Sequence, residues 1–192
     1  MTEASRKDRI LGVAERLFAH YGPAKTTIAD IARGCGIGVG SVYLDFSSKE
    51  AILAALSQKK VSTVACQMKA AAPPGRPSGE RLVAMLEARV VALFDLAEGG
   101  QHGCDLVRCG GVRGESYGFG VEVRSILTEE IDLGVRAGHV RDLDPAETVA
   151  LLEIAFAALS PPALFQRPRA EAVETTRRLA ELLVMGLVRS RE

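Results

Sequence analysis

Residues 9–56 read RILGVAERLFAHYGPAKTTIADIARGCGIGVGSVYLDFSSKEAILAAL, and the spacing within them decides the fold. Ile10, Leu11, Ala14, Leu17, Phe18 and Tyr21 recur every three or four residues, the stripe of an amphipathic helix that Ser5 would cap and Gly22-Pro23 would close. A short helix is expected from about Ile28 to Arg33, with Thr27 and Asp30 in the form of a capping box and Gly34 as its stop. Gly34-Cys35-Gly36-Ile37 forms a turn, and a third short helix runs from about Val39 to Asp45. Ser48 caps a fourth helix that reaches about Ala72, with Glu50 in the first turn where a carboxylate suits the helix dipole.

Outward from this stretch the pattern stays helical. Pro73-Pro74-Gly75-Arg76-Pro77-Ser78-Gly79 breaks the fourth helix, and further helices are expected at about 80–97, 104–109, 117–137, 145–165 and 169–189. Asp144 is placed to cap Pro145, whereas Pro161-Pro162 should kink or end the eighth helix early. No segment alternates as a strand would, so the fold class is all-α with about nine helices.

The chain has 192 residues, 24 Lys and Arg against 24 Asp and Glu, 47% hydrophobic and 5% aromatic content. Zero net charge excludes binding of nucleic acid by bulk positive charge. Residues 1–50 hold seven basic and six acidic side chains, so 51–192 hold 17 against 18, and neither part departs from neutrality by more than one charge. A protein of this kind would bind a polyanion only through a few placed groups. The longest apolar region, Ala146 to Phe165, is interrupted by Glu147, Glu153, Pro161 and Pro162, so no membrane association is expected. The polar start of the chain lacks a signal-peptide core, so a cytoplasmic location and reduced thiols at Cys35, Cys66, Cys104 and Cys109 are expected. Three scattered His, no Gly-rich phosphate loop and no nucleophile elbow leave no catalytic constellation, no cofactor and no metal site.

Two short helices around a Gly-containing turn form the helix-turn-helix pattern, whose second helix enters the major groove of DNA. The match is more specific than that. Ile10-Leu11, Leu17-Phe18, Thr26-Thr27, Ile31-Ala32, Gly36-Ile37, Gly40-Ser41-Val42-Tyr43, Phe46 and Ser48-Lys49-Glu50 stand in order over 48 positions. In these residues the chain resembles the DNA-binding domain of the TetR family of transcriptional regulators. The resemblance implies a helix-turn-helix domain over residues 1–50 and a ligand-binding and dimerisation domain over 51–192. It also implies a homodimer that binds a double-stranded DNA operator and a small-molecule effector.

The chemistry of the first domain follows from its residue types. Thr27 joins a hydroxyl to the free N–H groups of a helix start and could hold a phosphate oxygen while capping its helix. Tyr43 and Lys49 offer a phenol and an ammonium to neighbouring phosphates. Base reading falls to Gly38, Val39, Gly40, Ser41, Leu44 and Asp45, where the chain departs from the family: Gly38 and Val39 replace polar residues, Asp45 replaces His, and Ala29 replaces a long polar residue. Val39 or Leu44 against thymine methyls and Ser41 on a base edge are the expected direct contacts. Asp45 would be repelled by phosphate unless it accepts from a cytosine amino group or pairs with Lys49 or another cation.

In the second domain Met68, Met85, Phe94, Tyr117, Phe119 and Phe156 could line an effector site, with Arg89, Arg108 or Arg124 as polar contacts. Leu151, Ile154, Ala155 and Ala158, with Leu179, Leu182, Leu183 and Gly186, suit a four-helix dimer interface. Gly103-Cys104 resembles the Gly-Cys that opens a helix in a subset of the family, which leaves a thiol-sensing regulator acting through Cys104 as an alternative. Cys109 is five residues away, too far on a helix for a disulfide. A helical adaptor is the alternative of a different class, and it would give Thr27, Tyr43 and Lys49 no task.

Overall fold

The computed structural model describes residues 3–98 and 119–188. Among them are eight α-helices and two short 3-10 segments, with no strand. The helices are α1 (Glu3–Tyr21), α2 (Ile28–Cys35), α3 (Val39–Asp45), α4 (Lys49–Ala71), α5 (Ser78–Ala97), α6 (Gly120–Arg136), α7 (Pro145–Ala155) and α8 (Arg169–Leu187). The expected helix over 104–109 lies outside the described residues, as do Cys104, Arg108, Cys109 and Tyr117. No described helix is long and apolar enough to cross a membrane.

The chain divides into two compact units; the division falls after Lys60, within α4, and again after Phe94, so that the last residues of α5 group with the first unit. The boundary expected after Glu50 falls in the first turn of α4. In the first unit, α1 buries Ile10, Val13, Ala14 and Phe18 against Ile31, Ala32 and Cys35 of α2, Val42 of α3, and Ile52 and Leu56 of α4. At eight and seven residues, α2 and α3 are too short to persist alone, so this shared burial sustains them. The expected box on α2 is present: the Asp30 N–H donates to Thr27 Oγ1 at 3.2 Å, and the Thr27 N–H donates to Asp30 Oδ2 at 3.0 Å. The helix extends two residues past Arg33, because Gly36 adopts φ 64° and caps it in the left-handed conformation that a glycine tolerates.

Two expectations for α1 are corrected. The helix is already formed at Glu3, so Ser5 lies inside it and is not its cap. Tyr21 is 54% exposed and stacks edge-on with His20 at 4.4 Å instead of joining the buried stripe. Ser48 performs as expected, its hydroxyl accepting from the Ala51 N–H at 3.2 Å.

In the second unit α5 starts at Ser78, two residues before the expected Glu80. Arg81 on its first turns reaches Glu130 of α6 with Nε at 2.8 Å and Nη2 at 2.6 Å, and Glu130 is buried. Asp144 caps α7 by accepting from the Ala146 and Glu147 N–H groups at 2.8 and 2.9 Å, with Pro145 in the first helical position. The helix then ends at Ala155, ten residues short of Phe165, and gives way to 3-10 segments at Ala157–Leu159 and Ala163–Gln166. The prolines bar any return to the α-helix through Ser160. Neither Pro161 nor Pro162 has an N–H to continue the ladder, and Ser160, preceding them, is extended at φ −123° and ψ 151°. The last turn of α8 is fastened to the loop after α6, where the Arg141 N–H donates to Leu187 O at 2.9 Å.

Two glycines of the first unit separate close packing from mere flexibility. A Cβ on Gly34 would lie 2.6 Å from Val13 Cγ1, a branched side chain with little room to turn, whereas a Cβ on Gly40 would meet nothing within 4 Å. An overpacking cost of about 1–3 kcal/mol outweighs the ~1 kcal/mol by which alanine favours a helix interior. Urea unfolding is therefore expected to show Gly34→Ala destabilised by about 1 kcal/mol and Gly40→Ala stabilised by about 0.5–1 kcal/mol.

Candidate nucleic-acid interface

On α3 the side chains divide cleanly. Val42 points inward and is fully buried, while Val39, Gly40, Tyr43 and Leu44 line the opposite face; Leu44 is 78% exposed. Gly38 is the extended N-cap of α3 and is exposed, and Ser41 is half-buried. Val39 with Tyr43, and Gly40 with Leu44, are four residues apart, so they form two adjacent rows on one surface. The exposed surface of α3 is accordingly apolar and phenolic, with two glycines that let another backbone approach closely.

Asp45 does not belong to that face. Its carboxylate is covered by Arg6 of α1, which grips it with Nε at 2.6 Å and Nη2 at 3.0 Å. This is a cation that the covered carboxylate needs, and it comes from a helix 39 residues away in sequence. Nothing in the spacing around Asp45 points to Arg6, so sequence reasoning missed it. The Arg6 hydrogen bonds hold the Asp45 carboxyl below the usual carboxylate range, against the opposing effect of its partial burial.

Lys49 is engaged elsewhere. Its ammonium donates to Pro23 O at 2.8 Å and Thr26 O at 3.2 Å, tying the first residue of α4 to the loop between α1 and α2. In this arrangement one of its three hydrogens is left for another acceptor. Thr27 is exposed, but its hydroxyl donates to Asp30 Oδ2 at 2.6 Å. The Thr27 hydroxyl and backbone N–H, and Arg33 at 3.1 Å, hold the Asp30 carboxyl below its ordinary range. Thr26, named above only as part of the motif, is buried and donates to Gly22 O at 2.9 Å.

Of the second-domain candidates within the described residues, Met68, Met85, Arg89, Phe94, Phe119 and Phe156 are buried and Arg124 is exposed. The Phe119 and Phe156 rings lie 6.4 Å apart, and the Arg89 guanidinium sits 4.7 Å from the centre of the Phe119 ring. On α7 and just after it, Leu151, Ile154, Ala155 and Ala158 are exposed; on α8, Leu182 and Gly186 are exposed and Leu179 and Leu183 half-buried. Met185, 80% exposed and one turn from Leu182, extends this face and was not singled out from the sequence. Cys35 is buried and donates to Arg9 O at 3.8 Å, and burial pushes its thiol up, away from the reactive thiolate. Among the described residues no group of three or more His, Cys, Asp or Glu is placed to hold a metal ion.

Because Asp45 ionises more readily in the fold than in the unfolded chain, the Arg6 pair contributes stability above about pH 4, the ordinary carboxylate range, and loses it as pH falls further. Urea unfolding of Arg6→Ala is expected to show a deficit against the parent protein at pH 6 that shrinks as the pH is lowered to 3. A deficit independent of pH would mean that Arg6 acts through packing alone.

A family model described as bacterial regulatory proteins, tetR family, matches residues 10–56. The uncharacterized HTH-type transcriptional regulator YerO of Bacillus subtilis is 54% identical over 48 residues, which are 25% of this chain and 17% of that protein. The HTH-type transcriptional repressor KstR2 of Mycolicibacterium smegmatis is 49% identical over 47 residues, 24% of this chain and 23% of that protein. The matched stretch thus spans no more than about a quarter of these curated relatives. Over nearly the whole length the fold is similar to a solved structure described as the molecular basis for control of antibiotic production by bacterial hormones. That likeness has a TM-score of 0.69 and 24% identity, covering 98% of this chain and all of the other. Residues 10–56, the helix-turn-helix part of the chain, are thus similar to the tetR family of bacterial regulatory proteins.

Proposed function

We propose that the chain is a homodimeric transcriptional repressor that binds a palindromic DNA operator through residues 1–50 and is released from it by a small-molecule effector held within residues 51–192. The observation that carries this reading is the free face of α3. Val39, Gly40, Tyr43 and Leu44 stand exposed there in a domain whose family binds DNA. Leu44 and Val39 would meet thymine methyls, Ser41 a base edge, and Tyr43 a phosphate through its hydroxyl. The backbone at Gly38 and Gly40 lets the helix lie close to the groove. Thr27 and Lys49 reach phosphate by exchanging part of the hydrogen bonding that they make within the free protein.

Dimerisation is supported by Leu151 and Ile154 of α7 and Leu182 and Met185 of α8, large apolar side chains that stand between 61% and 80% exposed. Two-fold pairing through them would present two α3 helices to half-sites about one helical turn of DNA apart. Repression and an effector are supported by the relatives: KstR2 is a repressor, and the similar solved structure concerns control by bacterial hormones. The effector acts only if it prefers the form of the protein that binds DNA poorly. α4 runs unbroken from one unit to the other and supplies the covalent link for that coupling.

Mobility-shift titration with the DNA upstream of the protein's own gene tests the reading. Leu44→Ala is expected to lose about 1–3 kcal/mol of discrimination between operator and scrambled DNA, whereas Tyr43→Phe weakens both by about 1 kcal/mol. Equal affinity of the parent protein for operator and scrambled duplexes would refute it. Ile154→Glu on the apolar face is expected to halve the mass seen by sedimentation and to weaken operator binding at least tenfold, because one domain alone makes few contacts.

A further inference from the structure

Two arginines of α5 occupy opposite electrostatic situations. Arg81 is matched to a carboxylate, meeting both oxygens of Glu130. Arg89, two turns on, is 3% exposed and among the described residues has no carboxylate within ion-pair distance. Its Nη1 donates to Leu159 O at 3.2 Å, its Nη2 donates to Ser160 Oγ at 2.9 Å, and the Phe119 ring lies under its charge. Both acceptors are neutral. Glu153, the acidic group whose field reaches Arg89, is bound elsewhere: Arg124 Nε and Nη2 each approach it at 2.8 Å and the Phe119 N–H donates at 3.0 Å.

A buried guanidinium ordinarily has an anion, since desolvating the charge is costly without one. Burial lowers the pKa of Arg89 to about 10, which leaves it a cation at neutral pH. Each terminal nitrogen has given one hydrogen to the protein, and the second hydrogen on each, with that on Nε, matches the two oxygens of a carboxylate. The hydroxyl of Ser160 is itself fixed, donating to Phe156 O at 3.1 Å, so Ser160 and Leu159 O hold the fork in one orientation. Around it the surroundings are apolar: Phe119 and Phe156, with Met85 and Leu93 one turn either side on the same face of α5.

We propose that Arg89 is the anchor for the carboxylate of the effector, which is therefore an amphiphile with one carboxylate on an apolar body, and that Ser160 is the residue that positions this anchor. The inference rests on the reading of the chain as an effector-responsive regulator and names the chemistry of that effector.

Calorimetric titration of the purified full chain with octanoate and with 1-octanol is the test, since the two probes share a tail and differ in charge. The parent protein is expected to bind octanoate at least about tenfold more tightly than 1-octanol, as a site with a buried donor to satisfy should. Arg89→Met should bring the two within about twofold of each other, because it removes the charge that distinguishes them. Ser160→Ala, which leaves the charge in place, should weaken octanoate binding several-fold and leave 1-octanol binding unchanged, so the positioning role is testable even if Arg89→Met does not fold. Octanoate binding no tighter than that of 1-octanol, no octanoate binding at millimolar concentration, or a carboxylate preference that survives in Arg89→Met would overturn the proposal. Mobility shifts on the same preparations keep the two readings apart. A parent protein that prefers octanoate but ignores operator DNA overturns the regulator alone; one that binds operator without a headgroup preference overturns the anion site alone.

Discussion

The first unit depends on one close approach, that of α2 against α1 at Gly34 and Val13. With eight and seven residues, α2 and α3 cannot offset the cost of helix nucleation by their own hydrogen bonds. They exist because Ile31, Ala32 and Cys35 are pressed into the stripe of Ile10, Val13, Ala14 and Phe18, and a side chain at position 34 would hold the two helices apart. Everything exposed on α3 is fixed by what is buried beneath it. Val42 is the fully buried apolar side chain of α3, and through it the turn at Gly36 and the cap at Gly38 present the outward residues at a set angle.

How much of this was legible in the sequence depends on the range over which each interaction acts. The caps at Thr27, Ser48 and Asp144 were legible because a cap is made within three residues and leaves a local signature. The early end of α7 was legible in kind, through Pro161 and Pro162, but not in place. The chain leaves the α-helix at Phe156, where no sequence signal stands, and crosses to the prolines by a tighter helical segment. The partner of Asp45 was not legible at all. A carboxylate at the end of α3 says only that it needs a cation, and which of seven basic residues in the first fifty supplies it is decided by the packing of α1.

The candidate site shows the same division. Val39, Tyr43 and Leu44, named from the sequence as outward contacts, are exposed, whereas Ser41 and Asp45, named with them, are half-buried or covered. The engagement of Lys49 with two carbonyls could not be read from the sequence, because those acceptors are backbone atoms that carry no residue identity. In the second unit, burial is what separates Arg81 from Arg89, and a helical pattern cannot report whether a positive charge at a core position has found its carboxylate. Arg89 stood among several polar candidates in the sequence and stands apart from them only in three dimensions.

The two hydrogen bonds of Lys49 make the start of α4 and the α1–α2 loop move as one piece. An ammonium held at 2.8 Å by Pro23 O and at 3.2 Å by Thr26 O joins α4 to the residue immediately preceding the Thr27 cap. A rotation of α4 about its axis therefore pulls on the helix-turn-helix at its upstream end, at α2, as well as through the short Phe46-Ser47-Ser48 link to α3. The helix-turn-helix is gripped on both sides of its turn, so the start of α4, α2 and α3 are joined as one piece, like a key to its shank.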